Sequence, residues 1–240
     1  MDISKLKIYC LHCVEDVCRY DNIIKQFNKL DLNVQMWETC RQPHMDILYT
    51  GIILSNNYEN ICKYNEYNCL REHYTIIKTS YLKGYENILI FEDDIFLLND
   101  KSLFIDFINN IPDDYDICRL GGFCNNDHPE LNESFKSGLY WKKLDFGVWG
   151  TQGFLLSRKG MKYFIDYIDN VLCPADWPLF VNTNFEPIYG KLNYKKDEIN
   201  QYISTIPLLY IRNDVPSSIR NAEEDSCFNF YKNIDIKNYV

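Results

Sequence analysis

No apolar run in this sequence approaches the ~20 residues that a membrane-spanning helix needs, so no transmembrane segment is expected. Positive charge is also scarce. Lys and Arg number 25 against 34 Asp and Glu, a net charge of -9, which argues against a nucleic-acid backbone or an anionic membrane as the main partner. A nucleotide stays open as a ligand if a metal ion meets its phosphate charge. The chain has ten cysteines, yet the C-x-x-C of Cys10 and Cys13, with Cys18 close by, has no second pair at a matching spacing. That excludes a structural zinc site of the usual four-ligand pattern on this pair. The opening MDISKLKIYC shows no basic stretch leading into an apolar one. No secretion signal is therefore expected, the thiols are read as reduced, and the protein as cytoplasmic. Repeats, low-complexity tracts and linkers are absent as well, so residues 1–240 are expected to form one domain. The wealth of Asn, Ile, Lys and Tyr reads as AT-rich coding, as in some large viruses and low-GC bacteria.

What is there is a globular composition, 46% hydrophobic, with alternating periodicities. Strands are expected at Leu6–Leu11, Leu32–Trp37, Asn87–Phe91, Tyr115–Leu120, Gly153–Ser157 and Ile206–Ile211. Between them, apolar residues recur at helical spacing: Val17, Tyr20, Ile24, Phe27 and Leu30; then Leu70, Tyr74, Ile77 and Tyr81 in a helix over about Glu66–Leu82; a helix over about Ser102–Asn109; and Met161, Phe164, Ile165 and Ile168. Alternation of this kind predicts an α/β sheet with helices on both faces. Ligands in such sheets sit beyond the C-terminal ends of the strands.

One of those ends carries a conflict. In NILIFEDDIFLL, Asn87 to Leu98, the apolar strand runs into Glu92, Asp93 and Asp94. Adjacent carboxylates repel one another and resist burial. A water-facing turn would relieve them, but no Gly, Pro, Asn or Ser interrupts Ile88–Leu98. Convergence on a hard cation relieves them too.

These residues resemble glycosyltransferase family 25, the family of lipopolysaccharide and collagen galactosyltransferases. Its pattern is G-E-x-G-C-x-x-S-H on a helix, followed by a hydrophobic strand ending in E-D-D. In NEYNCLREHY, Glu66, Cys69 and His73 fall in register; Asn65 and Asn68 stand for the glycines and Glu72 for the serine. KIYCLHCVEDVCR resembles the family's first strand and loop, which ends in an Arg, here Arg19. WGTQGFLLSRKGM (Trp149–Met161) is close to G-T-x-x-Y-x-x-S-x-x-G-A. CPADWPLF (Cys173–Phe180) is similar to the P-x-D segment, and SSIR (Ser217–Arg220) to the S-x-I ending. The matched segments keep the family's order along nearly the whole chain.

The resemblance implies a GT-A fold, a Rossmann-like mixed sheet, and a metal-dependent transfer of a hexose from a nucleotide sugar, with UDP as the nucleotide. The acceptor would be a hydroxyl of a glycan, a lipid-linked sugar or a protein, and the anomeric centre would invert. Mn²⁺ or Mg²⁺ would be held by Asp94, with Glu92 near the ion or the ribose and Asp93 behind them. Arg19, Glu66 and His73 would contact the donor. Asp176 of the P-x-D segment would be the base, weighed against a helix cap. Arg19 is weighed against a solvated helix position, and Glu66 and His73 against a polar helix stripe. Trp149 and Trp177 are candidate sugar platforms, while Trp141 can serve as core. Asp116 and Asp145 read as surface or turn residues and His128 as an exposed loop residue, and no His follows His128 to join the metal. Two other readings compete: a nucleotidyltransferase, which would want a phosphate loop that the first strand lacks, and a non-catalytic carbohydrate-binding protein on a degenerate GT-A fold, which would not need to keep E-D-D.

Overall fold

The computed structural model describes residues 1, 3–40, 64–122, 128–170, 175–179 and 198–211. The side chain of Glu66, parts of the P-x-D segment (Cys173, Pro174, Phe180) and Ser217–Arg220 lie outside the described residues.

The expected alternation is observed. Strand β1 (Lys7–Cys13) leads to helix α1 (Val17–Leu30) and β2 (Val34–Thr39); α2 (Tyr64–Leu82) precedes β3 (Asn87–Glu92). After a bend at Asp93–Asp94 come β4 (Ile95–Leu97) and α3 (Lys101–Asn109), then β5 (Ile117–Arg119), α4 (Pro129–Lys136) and β6 (Trp141–Lys143). β7 (Gly153–Ser157) runs directly into α5 (Arg158–Asn170), and β8 (Gln201–Ser204) and β9 (Leu209–Ile211) follow. Among the described residues the main sheet has seven strands in the order β2-β1-β3-β7-β5-β8-β6, and β4 pairs with β9 in a separate ribbon.

The central strands β1, β3 and β7 are buried on both sides, which is why they read as near-continuous apolar runs. Ile8, Cys10, Leu89, Phe91 and Leu155 face one way, against Ile23, Phe27 and Leu30 of α1 and Phe104, Phe107 and Ile108 of α3. Their neighbours Tyr9, Leu11, Ile88, Ile90, Phe154 and Leu156 face the other way, against α2 and α5. A period of two along the strands therefore fills two cores at once. Helix ends are capped locally. The Asp100 side chain accepts the Leu103 amide at 3.0 Å at the start of α3. α1 ends at Asp31 in the left-handed region, φ 56°, where Asp is better tolerated than most side chains.

Strand direction matters most for the site. β1 runs parallel to β2 and to β3, whereas β7 is antiparallel to both β3 and β5. The entry to β7 therefore lies beside the exits of β3 and β5.

Several expectations need correction. The late strand is shorter than Ile206–Ile211 and begins at Leu209; Pro207 interrupts it because it has no N–H for a ladder. Asp116 is buried, not a surface residue. It accepts from Lys159 Nζ at 2.9 Å and from the Asn200 amide at 2.9 Å. His128 is half-buried just before α4, stacked on Phe146 with ring centroids 3.7 Å apart and paired with Glu130 at 2.7 Å. Trp141, by contrast, is core as read, its indole N–H donating to the Phe107 carbonyl at 2.7 Å.

The β7–α5 junction packs backbone to backbone. A Cβ on Gly160 would collide with the Asp116 carbonyl. Gly160→Ala is expected to destabilise by about 1–3 kcal/mol, because a backbone neighbour cannot rotate away; a urea titration gives the value.

Candidate active site

The exits of β1 and β3 and the entry to β7 bring together residues that lie far apart in the sequence. β3 delivers Glu92 to the sheet edge, and the Glu92 amide still bonds the Gln152 carbonyl at 3.0 Å. The chain then leaves strand geometry, so Asp93 and Asp94 no longer follow the strict up–down alternation. The three carboxylates consequently find two different sets of partners.

The first set surrounds Asp93 and Asp94. His12, at the exit of β1, is buried, and its Nδ1 lies 2.7 Å from Asp93 Oδ2. Arg19, on the first turns of α1, is buried too rather than solvated. Its Nη1 donates to Asp93 Oδ1 at 3.1 Å and sits 3.6 Å from Asp94 Oδ2. Asp94 Oδ1 is buried and has no hydrogen-bond partner among the described residues. Burial raises the Asp94 pKa against the lowering effect of Arg19. An orphaned hard oxygen beside a second carboxylate is the donor chemistry that Mn²⁺ or Mg²⁺ takes, so these residues fit such an ion.

The second set surrounds Glu92. Its Oε1 accepts the Thr151 hydroxyl and the Cys69 thiol, the latter at 3.6 Å. His73 Nε2 lies 3.6 Å from the same oxygen. Cys69 and His73 are one helical turn apart on α2, which puts both side chains on one face. His73 is fully buried, 0% exposed. Its Nδ1 donates to the Cys69 carbonyl at 2.8 Å, and burial lowers its pKa, so the ring is neutral and Nε2 carries the lone pair. Burial and the nearby Asp94 charge push the Glu92 pKa up to about 8.

The Glu92 shift fixes a pH dependence. Between the ordinary value of 4.5 and about 8, the folded state binds a proton that the unfolded state has released. Without a cation, stability therefore falls as pH rises through that window. In EDTA, the urea midpoint of the wild type is expected to drop more between about pH 5 and pH 8 than that of Glu92→Gln, which has no such proton to lose.

Asp176 enters from the other side. Its Oδ2 accepts the Gly150 amide at 3.0 Å, and its carbonyl accepts the Leu179 amide at 3.0 Å. The carboxylate thus reaches across to the β7 entry loop. Gly150 adopts φ +93° to present that amide, and a Cβ there would run into the Gln152 side chain. The Asp176 charge acts on both Cys69 and His73, which sets it on the Glu92 side of the site. Trp149 and Trp177 stand half-exposed on the same loops, and Trp177 also packs against the α5 core.

Arg119 was not singled out in the sequence. It is 2% exposed at the end of β5 and donates to the carbonyls of Trp149, Gly150 and Leu179. It therefore ties the β7 entry loop to the turn that carries Asp176. The available signal was a charged residue at the end of an apolar strand, the same signal that marked Glu92. His12 was legible only as part of the loop after β1, and Thr151 only as part of the G-T match.

The family described as glycosyltransferase family 25 (LPS biosynthesis protein) matches residues 6–178. A search of curated protein sequences finds no match. Among solved structures, a glycosyltransferase involved in the glycosylation of the major capsid of PBCV-1 is similar at 11% identity and a TM-score of 0.36, over 65% of this chain and 61% of that one. A197 from STIV is similar at 11% identity and a TM-score of 0.37, over 90% of this chain and 98% of that one. No helix among the described residues is long and apolar enough to cross a membrane.

Proposed function

The chain belongs to glycosyltransferase family 25, and from that premise we propose that it moves a hexose from a UDP-sugar, with a divalent cation, to a hydroxyl of a glycan, lipid-linked or protein acceptor, inverting the anomeric centre. The observation that carries this reading is the Glu92–Asp94 run at the exit of β3, with Asp94 Oδ1 buried and partnerless among the described residues. That arrangement costs stability unless a cation completes it, and a nucleoside-diphosphate leaving group needs the same cation.

In this reading Asp94 is the first ligand of Mn²⁺ or Mg²⁺. Bound there, the ion offsets the negative charge that builds on the diphosphate as the sugar–phosphate bond breaks. Asp93, fixed by His12 and Arg19, holds the bend that aims Asp94. Arg19 balances the carboxylates and is within reach of a phosphate oxygen. Glu92 has its Oε1 engaged by Thr151 and Cys69 and serves the donor side from behind Asp94. Asp176 takes the proton of the acceptor hydroxyl as the new glycosidic bond forms. The Gly150 amide on its Oδ2 fixes the carboxylate and leaves Oδ1 for that proton. A base opposite the leaving group is what a single inverting displacement requires. Trp149 and Trp177, on the two loops that meet at Asp176, offer aromatic faces for a sugar ring.

UDP with Mn²⁺ is expected to raise the melting temperature more than GDP, ADP or CMP with Mn²⁺, because ligands that bind only the folded state stabilise it by mass action. A thermal-shift series with each nucleotide tests the donor assignment. A larger shift with GDP or CMP would overturn UDP.

A further inference from the structure

We propose that Cys69, His73 and Glu92 form a binding site for one Zn²⁺ ion, separate from the Asp94 oxygen assigned to the donor's cation. One ligand atom from each of the three residues lies within 4.8 Å of the other two, and theirs is the one such grouping of His, Cys, Asp and Glu among the described residues. Around a tetrahedral zinc, neighbouring S, N and O ligands stand about 3.3–3.6 Å apart. Here Cys69 Sγ to Glu92 Oε1 is 3.6 Å, and His73 Nε2 to Glu92 Oε1 is also 3.6 Å. These two pairs are near liganding separations; Cys69 Sγ lies 3.5 Å from His73 Nδ1, so binding requires the sulfur to move toward Nε2.

The histidine supplies an independent observation. His73 Nδ1 donates to the Cys69 carbonyl at 2.8 Å, the partner that metal-ligating histidines characteristically use on their second nitrogen. This fixes the lone pair on Nε2. Among the described residues that atom is buried and no partner meets hydrogen-bond geometry, although the Thr151 backbone lies near enough to act on the ring and a carboxylate oxygen faces Nε2. The 3.6 Å between them is too long for a hydrogen bond, whether or not Glu92 carries its proton. A cation between them satisfies both.

The donor set decides which cation. A thiolate and an imidazole select Zn²⁺ over Mg²⁺ or Mn²⁺, whereas Asp94 offers only hard oxygen. On binding, Zn²⁺ displaces the Cys69 thiol proton, and the Glu92 proton when the acid carries one, to solvent. One thiolate, one carboxylate and a neutral imidazole then cancel the ion's two positive charges, so the buried site becomes neutral. Cys69 and His73 lie one turn apart on α2, the spacing by which a helix presents two ligands to one ion. Thr151 or a water can supply the fourth position. The ion would pin the start of α2 to the exit of β3 and to the β7 entry loop, next to the loop contact of Asp176. This assignment rests on the Cys69–His73–Glu92 geometry alone and does not depend on the donor reading.

The test measures metal content. The full chain, purified and dialysed without added metal, is expected to hold about one equivalent of zinc. Replacement by Co²⁺ should give a thiolate-to-cobalt charge-transfer band. Cys69→Ser should lower the zinc content at least about tenfold and remove the band, while Asp94→Asn keeps both. Should Cys69→Ser not fold, X-ray absorption on the wild-type chain decides instead: one sulfur with nitrogen and oxygen neighbours supports the site, and two or more sulfurs overturn it. Zinc below about a tenth of an equivalent with no cobalt band overturns the proposal, as does loss of zinc in Asp94→Asn equal to that in Cys69→Ser.

Discussion

Asp94→Asn is expected to abolish sugar transfer and to leave the chain folded. Asp94 Oδ1 is buried without a partner, while Oδ2 lies 3.6 Å from Arg19. The carboxylate contributes little to packing, and burial, with the neighbouring Asp93 charge behind it, raises its pKa against the pull of Arg19. Removing one of the two carboxylate charges relieves repulsion, so the melting temperature should change little or rise slightly. An amide oxygen is a far weaker ligand for a hard cation than a carboxylate. Losing the ion leaves the diphosphate charge unmet in the transition state, and the expected loss is at least about 10³-fold in kcat/KM. Nucleotide binding should also lose its sensitivity to EDTA. Initial transfer rates with a melting curve on the same sample check both halves. A variant with the wild-type rate and unchanged metal dependence contradicts the assignment.

Asp176→Asn is expected to separate binding from chemistry. The Asn side-chain oxygen can still accept the Gly150 amide that Asp176 holds at 3.0 Å, so the loop should keep its place. What the amide cannot do is take a proton from the acceptor hydroxyl. Loss of a general base costs about 10²- to 10⁴-fold in rate. Transfer should fall by that factor while UDP affinity stays within about threefold. Near-normal transfer would leave Asp176 as a structural partner of Gly150 only. A parallel loss of UDP binding would mean that the substitution moved the loop.

The parts of the fold that were legible in the sequence are those with a long, uniform period. β1, β3 and β7 are apolar because both sheet faces are covered, and α1, α2 and α5 carry clear apolar stripes. The short or polar elements were not legible. β8 reads QYIS, yet Gln201 and Ser204 are buried; Ser204 Oγ donates to the Leu120 carbonyl of a neighbouring segment, and no local pattern shows that. β6 spans three residues, two of them lysines, and α4 begins at Pro129 inside what reads as an Asn/Asp/Pro loop. In the site, the Glu92–Asp94 run could be read as a strand end from its own residues. Its division could not. The bend after Glu92 turns Asp93 and Asp94 toward His12 and Arg19 and leaves Glu92 with Thr151, Cys69 and His73. Nor could the sequence pair Arg119 with the carbonyls of Trp149, Gly150 and Leu179, since those contacts cross three loops.

Hydrolysis or transfer from a UDP-hexose, measured with Mn²⁺ and again with EDTA in place of the metal, tests the central claim most directly. The account predicts release of UDP and sugar with Mn²⁺, at least about 10³-fold slower release in EDTA, and recovery when Mn²⁺ is restored. Equal rates with and without the metal, or no turnover of any UDP-hexose under conditions where UDP binds, would contradict it.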